Sequence, residues 1–331
     1  MIAAVTGGTG FIGRHLVRRL VADGATVRCL VRATSGEVET GSERHVVRFD
    51  DADTVRQCGA LDGVDVVFHL AAATKAHGWG EFHAANVVPA VSLLEALVAR
   101  RTACRFVFVS SQAAAGPATA REAPTTEIDA PHPVEAYGLS KLEAERVVAS
   151  YGDRLSATIV RPCAVFGPGD QDFLTLFRLA GRGLVVYPGT ADHWLSLLFV
   201  EDVVEGILAA SREGKAGRIY FLSSTAPIQW RTFGDHIAEA AGVPVRHLNV
   251  FGPAVQAASV AGEWIGRLTR RVTLANRSKA ALARYPYWVC SGDRARTELG
   301  FTESRSLPVA VRDTYLWYLQ SGWMRRAHRT A

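Results

Sequence analysis

The chain has 331 residues, of which 48% are hydrophobic and 21% are charged. These are ordinary proportions for a globular protein, and they exclude a disordered or fibrous chain. The net charge is only +5, and basic residues are concentrated only in the C-terminal tail. This distribution disfavours nucleic-acid binding, because phosphate recognition needs a dense cluster of positive charge.

The cysteine pattern and the absence of sorting signals indicate a reduced, cytoplasmic protein. The five cysteines have no paired spacing, and the ten histidines have no metal-ligand spacing, so we predict neither disulfides nor a metal site. The N-terminus lacks the charged and apolar regions of a signal peptide. No stretch approaches the roughly 18 consecutive apolar residues of a membrane span. We therefore expect no integral membrane segment.

The first half of the chain alternates short apolar runs with segments of helical periodicity. The predicted strands cover residues 2–5, 26–31, 46–48, 65–69, 105–110 and 157–161. The predicted helices cover residues 11–22, 53–58, 81–101 and 135–151. Strands that alternate with helices predict an α/β protein with a doubly wound parallel sheet of the Rossmann type, covered by helices on both faces.

The second half is less regular. We predict a turn at 167–169, a strand at 195–200 and helices at 201–212, 231–241, 256–271 and 307–321. The expected domains are a dinucleotide-binding domain of residues 1–165 plus about 195–222, and a smaller mixed substrate-binding domain of about 166–194 and 223–331. The amphipathic segment 255–271 is expected to be a solvated helix face, with contact to a membrane as the alternative.

Gly7, Gly10 and Gly13 form a spaced glycine pattern where the first predicted strand passes into the first predicted helix. Gly7 permits a tight turn, Gly10 lets a pyrophosphate approach the backbone, and Gly13 lets the helix and strand pack closely. The free N–H groups and the positive dipole of the helix N-terminus then face the anion. In this position the glycine pattern predicts a dinucleotide-binding turn.

The end of the second predicted strand indicates which dinucleotide binds. NAD sites usually place a carboxylate there, whereas NADP sites place an arginine near the 2′-phosphate. Residues 28–35 contain no acidic residue, and Arg32 and Ser35 are candidates to hold a phosphate. NADP(H) is therefore favoured, with NAD(H) as the alternative. Asp50 is predicted to meet the adenine edge, and Asp51 is either an alternative for that role or a helix cap.

A second set of residues predicts catalytic chemistry. Tyr137 and Lys141 are four residues apart on a predicted helix, so their side chains share a face. A nearby cation lowers the pKa of a phenol, which helps Tyr137 exchange a proton with a hydroxyl or carbonyl group. Ser110 and Ser111 end the fifth predicted strand, where a hydroxyl can bind the same substrate oxygen.

These motifs resemble those of the extended short-chain dehydrogenase/reductases of the NAD-dependent epimerase/dehydratase type. The resemblance is specific up to about residue 170 and is carried by residues 6–13, Asp50, residues 69–72, Asn86, residues 110–111, residues 137–141 and residues 161–162. It implies that Ser111 is the catalytic serine, that Tyr137 is the acid–base and that Lys141 also holds the nicotinamide ribose. It further implies a homodimer, a structural role for Asn86, and cofactor contacts by Phe11, Ile12, Leu70, Ala71, Ala72 and Pro162.

Two positions distinguish branches of that family. Sugar dehydratases carry an Asp-Glu pair after the catalytic hydroxyl residue, whereas Ser111 is followed by Gln112 and Ala113. Nucleotide-sugar enzymes usually carry an asparagine where this chain has Ala164. The run 161–168 instead resembles 3β-hydroxysteroid dehydrogenases and dihydroflavonol-type reductases, which implies a hydrophobic substrate.

Three functional hypotheses follow. The leading one is an NADP(H)-preferring oxidoreductase that transfers hydride between the nicotinamide and a secondary alcohol or ketone of a sterol-like, polyketide-like or phenolic substrate. The first alternative is an NAD-dependent nucleotide-sugar epimerase, and the second is a non-catalytic dinucleotide-sensing protein. Tryptophans after residue 190 favour an apolar pocket, although each is also a candidate core residue; they are Trp194, Trp230, Trp264, Trp288, Trp317 and Trp323.

Overall fold

The computed structural model describes residues 1–76, 78–101, 103–188, 192–250 and 284–325. The strands are β1 (Ile2–Thr6), β2 (Thr26–Val31), β3 (Ser42–Val46), β4 (Val66–His69), β5 (Arg105–Val109), β6 (Ser156–Pro162), β7 (Ala164–Phe166), β8 (Leu184–Pro188), β9 (Trp194–Leu195), β10 (Leu197–Phe199), β11 (Ile219–Leu222), β12 (Ile228–Gln229), β13 (Arg246–Val250) and β14 (Tyr287–Trp288). The helices are α1 (Phe11–Ala22), α2 (Ala52–Arg56), α3 (Trp79–Asn86), α4 (Val88–Ala99), α5 (Gln112–Ala115), α6 (Ala136–Ser150), α7 (Leu174–Ala180), α8 (Val200–Glu213), α9 (Trp230–Ala241), α10 (Asp293–Leu299) and α11 (Leu307–Gln320), with a short 3-10 helix at Gly59–Leu61.

Seven strands form one parallel sheet in the order β11-β6-β5-β4-β1-β2-β3. The chain starts in the middle at β1, runs to one edge through β2 and β3, and then crosses to the other side of β1. This reversal leaves a crevice outside the C-terminal ends of β1 and β4, which is where open α/β sheets bind their ligands. The predicted Rossmann sheet is thus confirmed.

Residues of β1 alternate between two apolar cores, as the pleat of a strand requires. Ala3 and Val5 pack with residues of α1 and α8 on one face of the sheet. Ala4 packs on the opposite face with residues of α4 and α6. Helices therefore cover both faces, which explains the nearly continuous apolar runs of the central strands.

A third core lies in the later part of the chain. It is built on aromatic residues of β7, α7, α9 and α11, and they include Phe166, Phe177, Phe233 and Tyr318. Small sheets surround it in the orders β12-β9-β14, β13-β8 and β10-β7, with both parallel and antiparallel pairs. This smaller mixed region agrees with the predicted fold class.

Three predicted elements differ from the structure. Strand β3 lies at Ser42–Val46 rather than at 46–48, because it is an edge strand whose mostly polar residues give no apolar signal. The predicted helix 81–101 is divided into α3 and α4, with Pro89 near the start of α4. The predicted strand 195–200 is two short strands in different sheets, and Val200 already begins α8.

The amphipathic segment 255–271, to which a solvated face or a membrane contact was assigned, lies outside the described residues. Within the described part of the chain, one helical stretch, Trp79–Ala99, is long and apolar enough to cross a membrane by length and composition. It comprises α3 and α4, and 56% of its most apolar window is buried inside the fold. Buried core helices pass the same test, so this stretch is weak evidence for a membrane span.

Candidate active site

The glycine turn joins β1 to α1 at the crevice. Gly7 has a φ of 71°, and its carbonyl accepts a hydrogen bond of 2.9 Å from the Gly10 amide. A Cβ on Gly13 would lie 2.0 Å from the Gly7 oxygen, so only glycine lets α1 pack this closely on the turn. A Cβ on Gly10 would meet only that same oxygen, at 3.2 Å.

The N-terminus of α1 fits an anion. Its first turn, which begins at Phe11 and Ile12, contains no acidic side chain, and no side chain caps it. The first N–H groups of a helix lack partners within the helix and carry its positive dipole. The half-buried Phe11 and Ile12 therefore present their amides where a pyrophosphate would bind.

Thr6 and His69 hold the backbone beside this turn. The Thr6 hydroxyl hydrogen-bonds to His69 Nδ1 at 2.6 Å and accepts from the Ala71 amide at 3.1 Å. A Cβ on Gly7 would lie 2.7 Å from that same Ala71 nitrogen. The half-buried Leu70 and Ala71 and the exposed Ala72 thus line the crevice next to the glycine turn, while Pro162 is buried at the end of β6.

The adenosine edge contains two arginines. Arg32 is exposed, and its side chain makes no hydrogen bond or ion pair with the described residues. Ser35 Oγ accepts the Arg32 amide at 3.2 Å, and the Arg44 guanidinium donates to the Ser35 carbonyl at 3.1 Å. Asp50 is exposed and pairs with Arg48, whereas Asp51 caps α2 by accepting from two amides. The helix-cap alternative for Asp51 is therefore the one that the structure shows.

The structure brings Ser111, Tyr137 and Lys141 to one place. Glu135 caps α6 by accepting from the Tyr137 amide at 2.8 Å and the Gly138 amide at 2.6 Å. The Ser111 hydroxyl, two residues after β5, lies beside the Tyr137 side chain and lowers the pKa of its hydroxyl. One turn further along α6, the Lys141 ammonium donates to the Val109 carbonyl at 2.7 Å.

The electrostatics of Tyr137 differ from the prediction. Burial of the hydroxyl raises the pKa of Tyr137 to about 12, and the Ser111 hydrogen bond lowers it only in part. Lys141 is almost wholly buried, and this burial lowers the pKa of its ammonium to about 7. The predicted lowering of the phenol's pKa by a neighbouring cation is wrong for this arrangement, because desolvation raises the pKa and the Glu135 and Asp172 charges raise it further.

Asn86 anchors the loop that follows β4. Its amide accepts from the Ala73 nitrogen at 2.6 Å, donates to the Ala73 carbonyl at 3.0 Å and donates to Ser140 at 2.8 Å. Ser140 in turn donates to the Tyr137 carbonyl at 2.7 Å. This chain of bonds connects the crevice loop to the first turn of α6.

A charge pair connects two loops near Tyr137. The Lys75 ammonium lies 2.7 Å from the Asp172 carboxylate, which belongs to the segment before α7. The Asp172 charge also raises the pKa of Tyr137. Asp170 fixes this segment by accepting from the Asp172 and Phe173 amides.

Sequence reasoning missed several residues behind the site. Glu145 is buried and bonded to Ser110 and Arg161, and its spacing of four residues from Lys141 was an available signal. No sequence pattern indicated Arg44, because the third strand was predicted at 46–48 and Arg44 lies before that range. Among the described residues, no group of three or more histidine, cysteine or acidic side chains is placed to hold a metal ion. The five cysteines are free.

A sequence profile of the NAD dependent epimerase/dehydratase family matches residues 3–223. The chain therefore belongs to this family, the extended short-chain dehydrogenase/reductases. It is 31% identical over 314 residues to a 4-hydroxy-2-methyl-3-oxo-4-farnesyl-3,4-dihydroquinoline-1-oxide ketoreductase of Stigmatella aurantiaca, and the match covers 90% of each chain.

Two further comparisons agree with this membership. The chain is 32% identical over 270 residues to a 3 beta-hydroxysteroid dehydrogenase/Delta 5-->4-isomerase of Mycobacterium tuberculosis, covering 76% of this chain and 72% of the relative. A UDP-glucose 4-epimerase structure from Thermotoga maritima superposes with a TM-score of 0.80 at 20% identity, covering 97% and 99% of the two chains. The predicted resemblance to hydroxysteroid dehydrogenases is confirmed, and the epimerase shows the shared fold.

Proposed function

We propose that the protein is an NADP(H)-preferring oxidoreductase that interconverts a secondary alcohol and a ketone on a hydrophobic substrate. The observation that carries this proposal is the placement of the Ser111 hydroxyl beside Tyr137, with Lys141 one turn further along α6. Ser111 follows β5 at the crevice end of the sheet, and β4 lies between β5 and the strand that carries the glycine turn.

The nicotinamide supplies or accepts the hydride when it is bound. Tyr137 donates the proton to the substrate oxygen during reduction, and the raised pKa keeps its hydroxyl protonated at neutral pH. Ser111 orients the same oxygen by a hydrogen bond. Lys141 places a positive charge behind Tyr137 as negative charge develops on the phenol oxygen.

The cofactor proposal rests on the crevice and its edge. The uncapped N-terminus of α1 and the bare Gly10 leave room and N–H donors for a pyrophosphate. At the adenosine edge, the Arg32 guanidinium has no partner among the described residues, and the Ser35 hydroxyl retains its proton for donation. Both are donors that suit a 2′-phosphate, which supports NADP(H) over NAD(H).

The hydrophobic substrate is supported by the relatives and by position 164 rather than by the tryptophans. Trp230, Trp288, Trp317 and Trp323 pack against the third core, so they serve the fold. According to their names, the ketoreductase acts on a ring that carries an apolar farnesyl chain and the other relative acts on a hydroxysteroid. The half-buried Ala164 offers no polar group to a sugar nucleotide.

We also propose how the chain divides into domains and how it assembles. We assign cofactor binding to residues 1–165 with about 195–222, and substrate binding to about 166–194 and 223–331. The Lys75–Asp172 pair joins loops from these two parts beside Tyr137. A cytoplasmic homodimer is the assembly that we propose, and sedimentation of the purified protein tests it.

The first experiment identifies the nucleotide and the reaction together. Protein is denatured and any released nucleotide is identified by mass, and NADPH and NADH are titrated into the native protein. Consumption of NADPH is then followed with 2-decanone, ethyl 3-oxohexanoate and 5α-androstane-3,17-dione. Tight NADPH binding and turnover of a ketone support the proposal. Stoichiometric non-exchanging NAD favours an epimerase, and failure to bind either dinucleotide favours a non-catalytic protein.

A further inference from the structure

A buried carboxylate lies behind the catalytic residues and is shared by three elements. Glu145 of α6 accepts two hydrogen bonds from Arg161 of β6, with Nε 2.9 Å from Oε1 and Nη2 2.6 Å from Oε2. The Ser110 hydroxyl at the end of β5 donates to the same Oε1 at 2.5 Å. Glu145 and Arg161 are only 3% and 2% exposed. This bidentate pair is therefore fully desolvated and geometrically specific.

The contacts form a register between β5 and α6. Val109, the last residue of β5, and the two residues after it each contact a residue of α6, and these residues of α6 follow one another at intervals of four. The pairs are Ser111 with Tyr137, Val109 with Lys141 and Ser110 with Glu145. Since residues four apart share one helix face, a single face of α6 fixes the end of the strand. Of these three contacts, the bond between Ser110 and Glu145 is the one that has no part in the proposed proton transfer.

The charges in this region are unbalanced without Glu145. Lys141 and Arg161 are both buried, and the Lys141 ammonium lies 4.2 Å from the centre of the Phe108 ring. Burial lowers the pKa of Lys141, and the Glu145 charge raises it. The bidentate Arg161 is the direct partner of Glu145 in this buried region.

We propose that Glu145 is a positioning residue, which holds the Ser110 end of β5 on α6 and thereby fixes Ser111 and Lys141 around Tyr137. This inference rests on the proposed alcohol–ketone chemistry for its kinetic consequence. Its structural part concerns only the protonation state of Lys141 and the position of the chain at the end of β5. The two effects of Glu145, anchoring and charge, are separable by substitution.

The charge effect is measured without substrate or cofactor. The chain has only four lysines, Lys75, Lys141, Lys215 and Lys279. Protein labelled with 13C at the lysine ε-carbon therefore gives four signals, and Lys141→Met assigns one of them. In Glu145→Gln, which keeps the shape of the side chain but removes its charge, we expect the Lys141 signal to titrate about one pH unit or more below wild type.

The anchoring effect is measured by kinetics with the ketone that wild type reduces fastest. Ser110→Ala keeps the Glu145–Arg161 pair and removes the bond to β5. We expect kcat to fall by about tenfold or more, with KM within about twofold and the Lys141 titration unchanged. Ser150→Ala is the matched control, because Ser150 is an exposed serine of the same helix whose hydroxyl donates to the Val147 carbonyl of that helix.

Glu145→Gln leaves Arg161 buried without its counter-charge, which destabilises the fold. If that variant does not fold, the double variant Glu145→Met with Arg161→Met replaces it, since apolar residues of similar volume substitute well for a buried ion pair. A fall in the Lys141 titration is again expected, smaller than in Glu145→Gln because the positive charge of Arg161 is removed as well. An unchanged Lys141 titration in the charge variant, or wild-type kcat in Ser110→Ala, overturns the corresponding part of the inference. If no ketone is reduced, the NMR result still stands apart from the proposed function.

Discussion

Substitution of Gly13 tests how closely α1 packs on the glycine turn. In Gly13→Ala the new Cβ would lie 2.0 Å from the Gly7 oxygen, 2.8 Å from the Gly7 carbonyl carbon and 2.9 Å from the Gly8 Cα. Each of these atoms is backbone, so no side chain can move aside. The first turn of α1 must therefore shift by about 1 Å from the glycine turn, as in other overpacked cores.

The magnitude follows from two opposing terms. Overpacking costs about 1–3 kcal/mol, and a clash with backbone belongs at the upper end. Alanine in a helix recovers about 1 kcal/mol relative to glycine. The net loss is about 2 kcal/mol, which is roughly a 30-fold change in the folding equilibrium and a fall in Tm of about 4 °C. The displaced turn should also weaken NADPH binding.

Two other glycines provide the comparison. Gly10→Ala meets only the Gly7 oxygen, at 3.2 Å, so it should lose NADPH affinity while its Tm stays close to wild type. Gly36→Ala meets nothing within 4 Å and should change neither quantity. Differential scanning calorimetry measures the Tm of each variant, and a fluorescence titration with NADPH measures its affinity for the cofactor. A Gly13→Ala variant with the stability of wild type would refute the close approach of helix and turn.

Three further expectations test the site. Tyr137→Phe should lower kcat about 100-fold or more, whereas Tyr151→Phe, at the end of the same helix, should leave kcat unchanged. If kcat were equal in the two variants, Tyr137 would not be the proton donor. Arg32→Ala should reduce the preference for NADPH over NADH about tenfold, as measured by the ratio of the two Kd values. Burial lowers the pKa of Lys141 from 10.5 to about 7, so the unfolded chain binds this proton more strongly between these values. Burial of Lys141 therefore destabilises the fold most below pH 7, and this destabilisation is lost as the pH rises towards 10.5. The Tm of Lys141→Met should exceed that of wild type by an amount that shrinks from about pH 7 to about pH 10. A Tm difference that stays constant over this range would contradict the lowered pKa of Lys141.

Local patterns in the sequence were sufficient to predict the centre of the fold. The Gly7–Gly13 turn, the alternation of strands and helices, and the spacing of Tyr137 and Lys141 each depend on residues within one or two turns. These local patterns did not predict the position of β3, because its residues are mostly polar and partly exposed and because it pairs with β2, which is distant in the sequence. Arg44 was missed for that reason.

The electrostatics also required the three-dimensional structure. The helix spacing places Tyr137 and Lys141 on one face, but it says nothing about how deeply either group is buried. Burial raises the pKa of Tyr137 and lowers that of Lys141, and both directions oppose the simple expectation for a tyrosine beside a cation. Glu145 follows Lys141 at the same spacing, yet its contacts with Ser110 and Arg161 come from strands that the helix pattern cannot locate.

The order of the sheet separates recognition from chemistry. Arg32 and Arg44 lie at the edge formed by β2 and β3, whereas Ser111 follows β5 on the other side of β1 and β4. Neighbouring strands are about 4.8 Å apart, so the three strand spacings from β2 to β5 put about 14 Å between the two groups. Substitutions that are this far apart and share no partner usually have independent energetic effects. The arginines should therefore set which dinucleotide binds without changing proton transfer, and the β5–α6 register should set the rate without changing that choice.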